Sequence, residues 1–131
     1  MTCPSCGSEQ LVVAVPADLR EHLPEASERI AVCTRCLALD QTDEAPADDP
    51  DFARISDAFP TGEAGVAMAL AVGLLDSLAL YRSEIAALLE RVERGGADPL
   101  LVLDRLNADP ELDPQFDVSR RRTQAEQLLY D

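Results

Sequence analysis

Two Cys-x-x-Cys pairs constrain this chain more than any other feature. Cys3-Pro-Ser-Cys6 opens it, and Cys33-Thr-Arg-Cys36 follows after 26 intervening residues. Two residues between cysteines let both thiolates of one turn point at the same ion. Two such turns supply four soft sulfurs, a donor set that suits tetrahedral Zn2+. Gly7 permits the positive φ such a turn needs, and Pro4 stiffens it. Leu37 stands where a glycine would mirror Gly7, and Arg35 is placed to offset the negative charge of four thiolates around a dication. The expected site is one structural zinc held by Cys3, Cys6, Cys33 and Cys36. Disulfides need an oxidising compartment, and none is indicated. A redox Cys-x-x-Cys would sit at a helix start beside a βαβ pattern, which is lacking. Iron is the rival metal. The spacing is similar to that of rubredoxin, but rubredoxin-like proteins pack aromatics around the metal, and the first aromatic here is Phe52.

The charge says what the chain avoids. Its formal net charge is −14, from 25 acids against 11 bases, and every base is arginine. Dense acid without lysine suits solubility in concentrated salt, where screening shrinks to roughly 3 Å. Such a charge repels nucleic acid and anionic membranes at ordinary salt. The apolar run from Ala64 to Leu75 is too short to span a bilayer and reads as a buried helix. Cys3 leaves no room for a signal segment, so the expected location is cytoplasmic.

Three regions are expected: a zinc ribbon over residues 1–39, an acidic linker over 40–50, and a helical domain over 51–131. The fold class is a small antiparallel ribbon followed by an all-α bundle, α+β overall and mostly helical. Within the ribbon, residues 10–15 and 30–32 read as strands, with a short helix around Leu19 and Leu23 inserted between them. Asp49-Pro50 reads as a helix start, with Phe52, Ile55 and Phe59 on one face. Thr61 is positioned to cap a helix from Gly62 to about Leu80, apolar on nearly all sides. Ser83 either caps a new helix or lies within one long helix. Ile85, Leu88, Leu89 and Val92 continue a helical face until Gly95-Gly96. Asp98-Pro99 starts another helix, and Leu100, Leu103 and Leu106 extend the core. Residues 109–114 read as a loop. A last helix spans Val118 to Leu129, with Ala125, Leu128 and Leu129 inward.

CPSCG at the start, CTRC about thirty residues on, an acidic linker and an Ala/Leu-rich helical tail resemble an uncharacterised haloarchaeal protein family with an N-terminal CPxCG zinc ribbon. That resemblance implies zinc at the four cysteines and no established activity.

Other residues carry weaker signals. Gly65, Ala69, Gly73 and Ser77 form a small-residue stripe that serves packing inside the bundle or a homodimer seam. Arg120-Arg121-Arg122 reads as a solvated helix face paired with local acids. His22 is expected at the surface. Asp76 within the apolar stretch must reach solvent or a partner, since a buried lone carboxylate is costly. No nucleophile–base pair or phosphate-binding loop is visible, so an enzyme is not expected. The expected role is a protein-interaction module with an unidentified protein partner. A nucleic-acid-associated ribbon ranks second, because Arg20, Arg29 and Arg35 face several acids.

Overall fold

A computed structural model describes residues 2–23, 26–46 and 50–130. The N-terminal part is a three-stranded antiparallel sheet in the order β1-β2-β3. Strand β1 covers Gln10–Ala14, β2 Arg29–Cys33 and β3 Leu39–Gln41. Leu11 pairs with Val32 and Val13 with Ile30, so these four side chains share one buried face. The period-two alternation of β1 fixes that choice, because a one-residue slip would send the same side chains outward. A short helix α1, Ala17–Arg20, lies between β1 and β2 and buries Leu19.

Strand β3 corrects the expected linker. Asp40 and Gln41 pair with Ala31 and Ile30 instead of lying in an open connection. Three residues, Leu-Asp-Gln, carry no periodic signal of their own, and the neighbouring strand sets their conformation. The expected helix start at Asp49 lies outside the described residues. Phe52–Arg54 form a 3-10 turn, where the Asp51 carboxylate accepts the Ala53 N–H at 3.1 Å.

Four longer helices follow: α2 over Gly62–Leu74, α3 over Arg82–Arg94, α4 over Pro99–Ala108 and α5 over Val118–Tyr130. Helix α2 is the centre of the body, and every side chain from Val66 to Val72 is buried. It packs on α3, while α5 packs on both α3 and α4. The expected helix to Leu80 ends earlier. A 3-10 turn at Leu75–Ser77 unwinds it, and α3 begins separately at Arg82. Tyr81, not Ser83, holds the N-cap position of α3, and neither Tyr81 nor Thr61 makes a side-chain capping bond. Asp98 does cap α4, accepting the N–H groups of Leu100 and Leu101 at 3.0 and 3.3 Å, with Pro99 in the first turn. Asp117 accepts the Arg120 N–H at 3.1 Å at the start of α5.

One hydrophobic core joins sheet and helices. Leu11, Val13, Ile30, Val32 and Leu37 belong to the same cluster as Met68, Leu70, Leu89 and Leu103. The glycines of the small-residue stripe make this close approach possible. A Cβ on Gly65 would stand 2.6 Å from the Phe52 ring, and one on Gly73 would overlap Leu39 of β3. Gly65 and Ala69 are buried against the chain's own segments, whereas Gly73 is half-buried and Ser77 is exposed. Asp76 is exposed and escapes the desolvation cost. Among the described residues no helix is long and apolar enough to cross a membrane.

Candidate metal centre

The site begins with two matching turns. In the first, the Cys3 N–H donates to the Ser8 carbonyl at 2.7 Å, and Thr2 bridges to Glu9. In the second, the Cys33 N–H donates to the Ala38 carbonyl at 3.0 Å. Each turn therefore closes between its first cysteine and the residue five positions on. Each also passes through a left-handed residue just after its second cysteine, Gly7 at φ 78° and Leu37 at φ 67°. The glycine was legible as a turn residue; Leu37 takes the same conformation without one.

The sheet brings the turns together. Gln10 opposes Cys33 across β1 and β2, so the end of the first turn and the start of the second are neighbours. Thr34 adds a second tie, donating its N–H and its hydroxyl to the Glu9 carbonyl at 3.0 and 2.9 Å. The sulfurs of Cys3 and Cys36 are 3.7 Å apart, and those of Cys6 and Cys33 are 3.4 Å apart. All four ligand atoms lie within 4.8 Å of one another. Four sulfurs at about 2.3 Å from a tetrahedral ion stand roughly 3.8 Å apart. The arrangement is therefore of the right size for one ion. Cys3, Cys33 and Cys36 are buried, whereas Cys6 is exposed.

Local fields differ between the sulfurs. Hydrogen bonds from the Ser8 side chain and backbone lower the Cys6 thiol to about 6. Burial pushes the Cys33 and Cys36 thiols above their usual 9.0. Cys33 partly offsets this by accepting the Arg35 and Cys36 N–H groups at 3.4 and 3.3 Å. A divalent cation bound among them would supply the larger stabilisation that thiolates in such a place require.

The centre is anchored to the helical body. Leu37 is 1% exposed and its side chain belongs to the main core. The Asp113 N–H donates to the Arg35 carbonyl at 2.9 Å, joining the loop before α5 to the second turn. Phe116 of the same loop lines a hollow with Ser5, Cys36 and Gly73. In the sequence Asp113 was legible only as part of a loop, because its backbone bond to Arg35 joins segments far apart along the chain. Arg35 contributes through its backbone, and its side chain is exposed. His22 is half-buried, pairs with Glu21 at 3.6 Å and is not part of the sulfur cluster. In the arginine run, Arg122 engages Asp104 and Glu126, while Arg121 donates to Gln124 and to the Asp76 carbonyl. The partners of that run lie on α5 itself, on α4 and on the turn after α2, and no cysteine is among them.

Fold and site together define a class: a small antiparallel sheet with a four-cysteine cluster that could hold a metal ion, fused to a helical body. The chain belongs to the family of unknown function DUF6276, whose profile matches residues 2–129 and so takes in both parts. No curated protein and no solved structure gave a match.

Proposed function

We propose that the chain is a non-catalytic interaction module whose ribbon is held by one structural Zn2+ on Cys3, Cys6, Cys33 and Cys36. The convergence of four sulfurs within 4.8 Å, three of them buried, carries this reading. Four protein ligands complete a tetrahedron and leave no position for a reacting water, so the metal serves folding and not chemistry. The exposed tips of both turns, with Pro4, Ser5 and Arg35, form the surface offered to a protein partner. Two of the ribbon's arginines are engaged with backbone: Arg20 donates to the Val15 carbonyl and Arg29 to that of Asp43. This favours a protein over a nucleic acid as the partner.

Metal analysis of the chain purified without added metal tests the reading. One zinc per chain and a colourless solution are expected. A red protein with iron would replace zinc with a rubredoxin-like centre, and a metal-free protein of equal stability would remove the metal altogether. Capture of a partner by the wild type but not by Cys33→Ser, in concentrated salt, tests the interaction role.

A further inference from the structure

The four sulfurs are not equivalent toward solvent. Cys3, Cys33 and Cys36 are 3%, 0% and 2% exposed, whereas Cys6 stands open at the tip of the first turn. Here one ligand meets solvent, and Cys33 Sγ waits 3.4 Å behind it. Building on the zinc reading above, we infer that Cys6 is an oxidation site, through which a peroxide opens the metal centre by forming a Cys6–Cys33 disulfide.

The chemistry balances in two steps. The Cys6 thiolate attacks one peroxide oxygen, the O–O bond breaks, and hydroxide leaves; Cys6 becomes a sulfenic acid. The Cys33 thiolate then attacks the Cys6 sulfur, the S–S bond forms, the S–O bond breaks, and a second hydroxide leaves. Two thiolates have lost two electrons, and the peroxide, with two protons from solvent, has become two waters. Solvent access selects the first sulfur, since a diffusing oxidant reaches the exposed Cys6 before the three buried cysteines. A sulfur–sulfur separation of 3.4 Å must shrink to about 2.05 Å, within reach of side-chain rotation in two adjoining turns. Only Cys3 and Cys36 then remain as ligands, too few to retain the ion.

The backbone around Cys6 allows this opening. Nothing lies within 4 Å of the space beside Gly7, so the first turn is free on that side. The second turn is fixed by Leu37 in the core and by the Asp113–Arg35 bond. Oxidation would therefore loosen the N-terminal turn while the sheet and helices persist.

The zinc-loaded full chain should be treated with a limiting thiol-alkylating reagent, and separately with hydrogen peroxide, with zinc release followed by a chromogenic chelator. Peptide mass spectrometry assigns the modified cysteines. Alkylation of Cys6 at least about tenfold ahead of the other three supports the inference, as does a first disulfide between Cys6 and Cys33. Labelling spread evenly over the four cysteines, or a first disulfide that omits Cys6, overturns it while leaving the zinc reading intact. A chain that cannot be loaded with zinc defeats the zinc reading and the inference with it. Cys6→Ser supplies a second arm: if it retains zinc, peroxide must no longer release it; if it loses zinc, the labelling order in the wild type still decides.

Discussion

Leu37 and Gly7 hold the same left-handed backbone, φ 67° and φ 78°, each directly after the second cysteine of its turn. Their surroundings are opposite. Gly7 has open space around its Cα, whereas Leu37 is 1% exposed within the main core. A left-handed conformation costs a residue with a Cβ about 1–2 kcal/mol. Burying a leucine side chain contributes about 1.5–3 kcal/mol, enough to hold the strained turn in place. The second turn thus gives up glycine's freedom and gains an anchor.

This pairing reverses a common order of substitutions. Leu37→Ala keeps the backbone strain and loses the packing, at about 2–5 kcal/mol. Leu37→Gly loses the same packing but releases the strain. In denaturant unfolding of the metal-loaded chain, Leu37→Gly should therefore be no less stable than Leu37→Ala. Gly7→Ala should cost about 1–2 kcal/mol, because no packing offsets its strain. A Leu37→Gly variant clearly weaker than Leu37→Ala would show that the strain is not felt.

The pH dependence of metal binding follows from the thiol fields. Cys33 and Cys36 titrate above 9.0 in the metal-free fold, so at pH 7 both carry protons that an incoming ion must displace. Cys6, lowered to about 6, is already mostly thiolate there and releases little. Zinc affinity should thus fall as pH falls, and fall more steeply below about pH 6, where Cys6 also becomes protonated. Calorimetric titration in buffers of different ionisation enthalpy counts the released protons. Affinity independent of pH between 5 and 8 on the order of experimental error would contradict the assigned ligands.

The parts of this protein that were legible in its sequence are those where local chemistry and tertiary structure agree. The convergence of Cys3, Cys6, Cys33 and Cys36 was legible from their spacing. Asp98-Pro99 announced α4 because a capping carboxylate and a proline at the first turn act within a few residues, and the Asp98 bonds to Leu100 and Leu101 show it. Strand β3 was not legible, since Leu39–Gln41 acquire their conformation from β2. Nor was the break after Leu74. The stretch from Leu75 to Leu80 contains neither proline nor glycine, and its 3-10 turn is set by how α3 must return across α2. The anchoring of the second cysteine turn by Asp113 was hidden for the same reason: the contact is between distant segments.

The two stripe glycines of α2 should respond differently to alanine. In a helix interior this change alone stabilises by about 1 kcal/mol. At Gly65 the new methyl would meet the Pro60 carbonyl and stand 2.6 and 2.7 Å from two atoms of the Phe52 ring. That ring is itself stacked on Phe59 at 5.9 Å, so neither obstacle is free to move. Overpacking of this kind costs about 1–3 kcal/mol and outweighs the propensity gain. At Gly73 the new methyl would overlap Cγ and Cδ1 of the half-buried Leu39, which lines hollows beside Gly73 that can take the displaced atoms, while the Leu39 Cβ stays 3.1 Å away. Thermal unfolding should show Gly65→Ala clearly destabilised and Gly73→Ala less so. The reverse order would mean that β3 and not the Phe52 turn is the tighter neighbour of α2.

Arg91 of α3 reaches both Asp18 of α1 and Glu63 at the start of α2, tying the inserted helix of the ribbon to the helical body. The Arg91 guanidinium, first by its hydrogen bond and then by its charge, holds the Asp18 carboxyl below the usual 3.8. A lowered folded-state value means that the pairing stabilises the fold in full above the unfolded value. It is lost as pH falls through the folded one. Because the acids are more than half exposed, salt should screen the effect. Arg91→Gln should raise the Asp18 titration midpoint toward its ordinary value, as read by side-chain carboxyl NMR. It should also speed amide exchange in α1 with little change in the global unfolding midpoint. An Asp18 midpoint that stays put in Arg91→Gln would show that the carboxyl is held by groups other than this arginine.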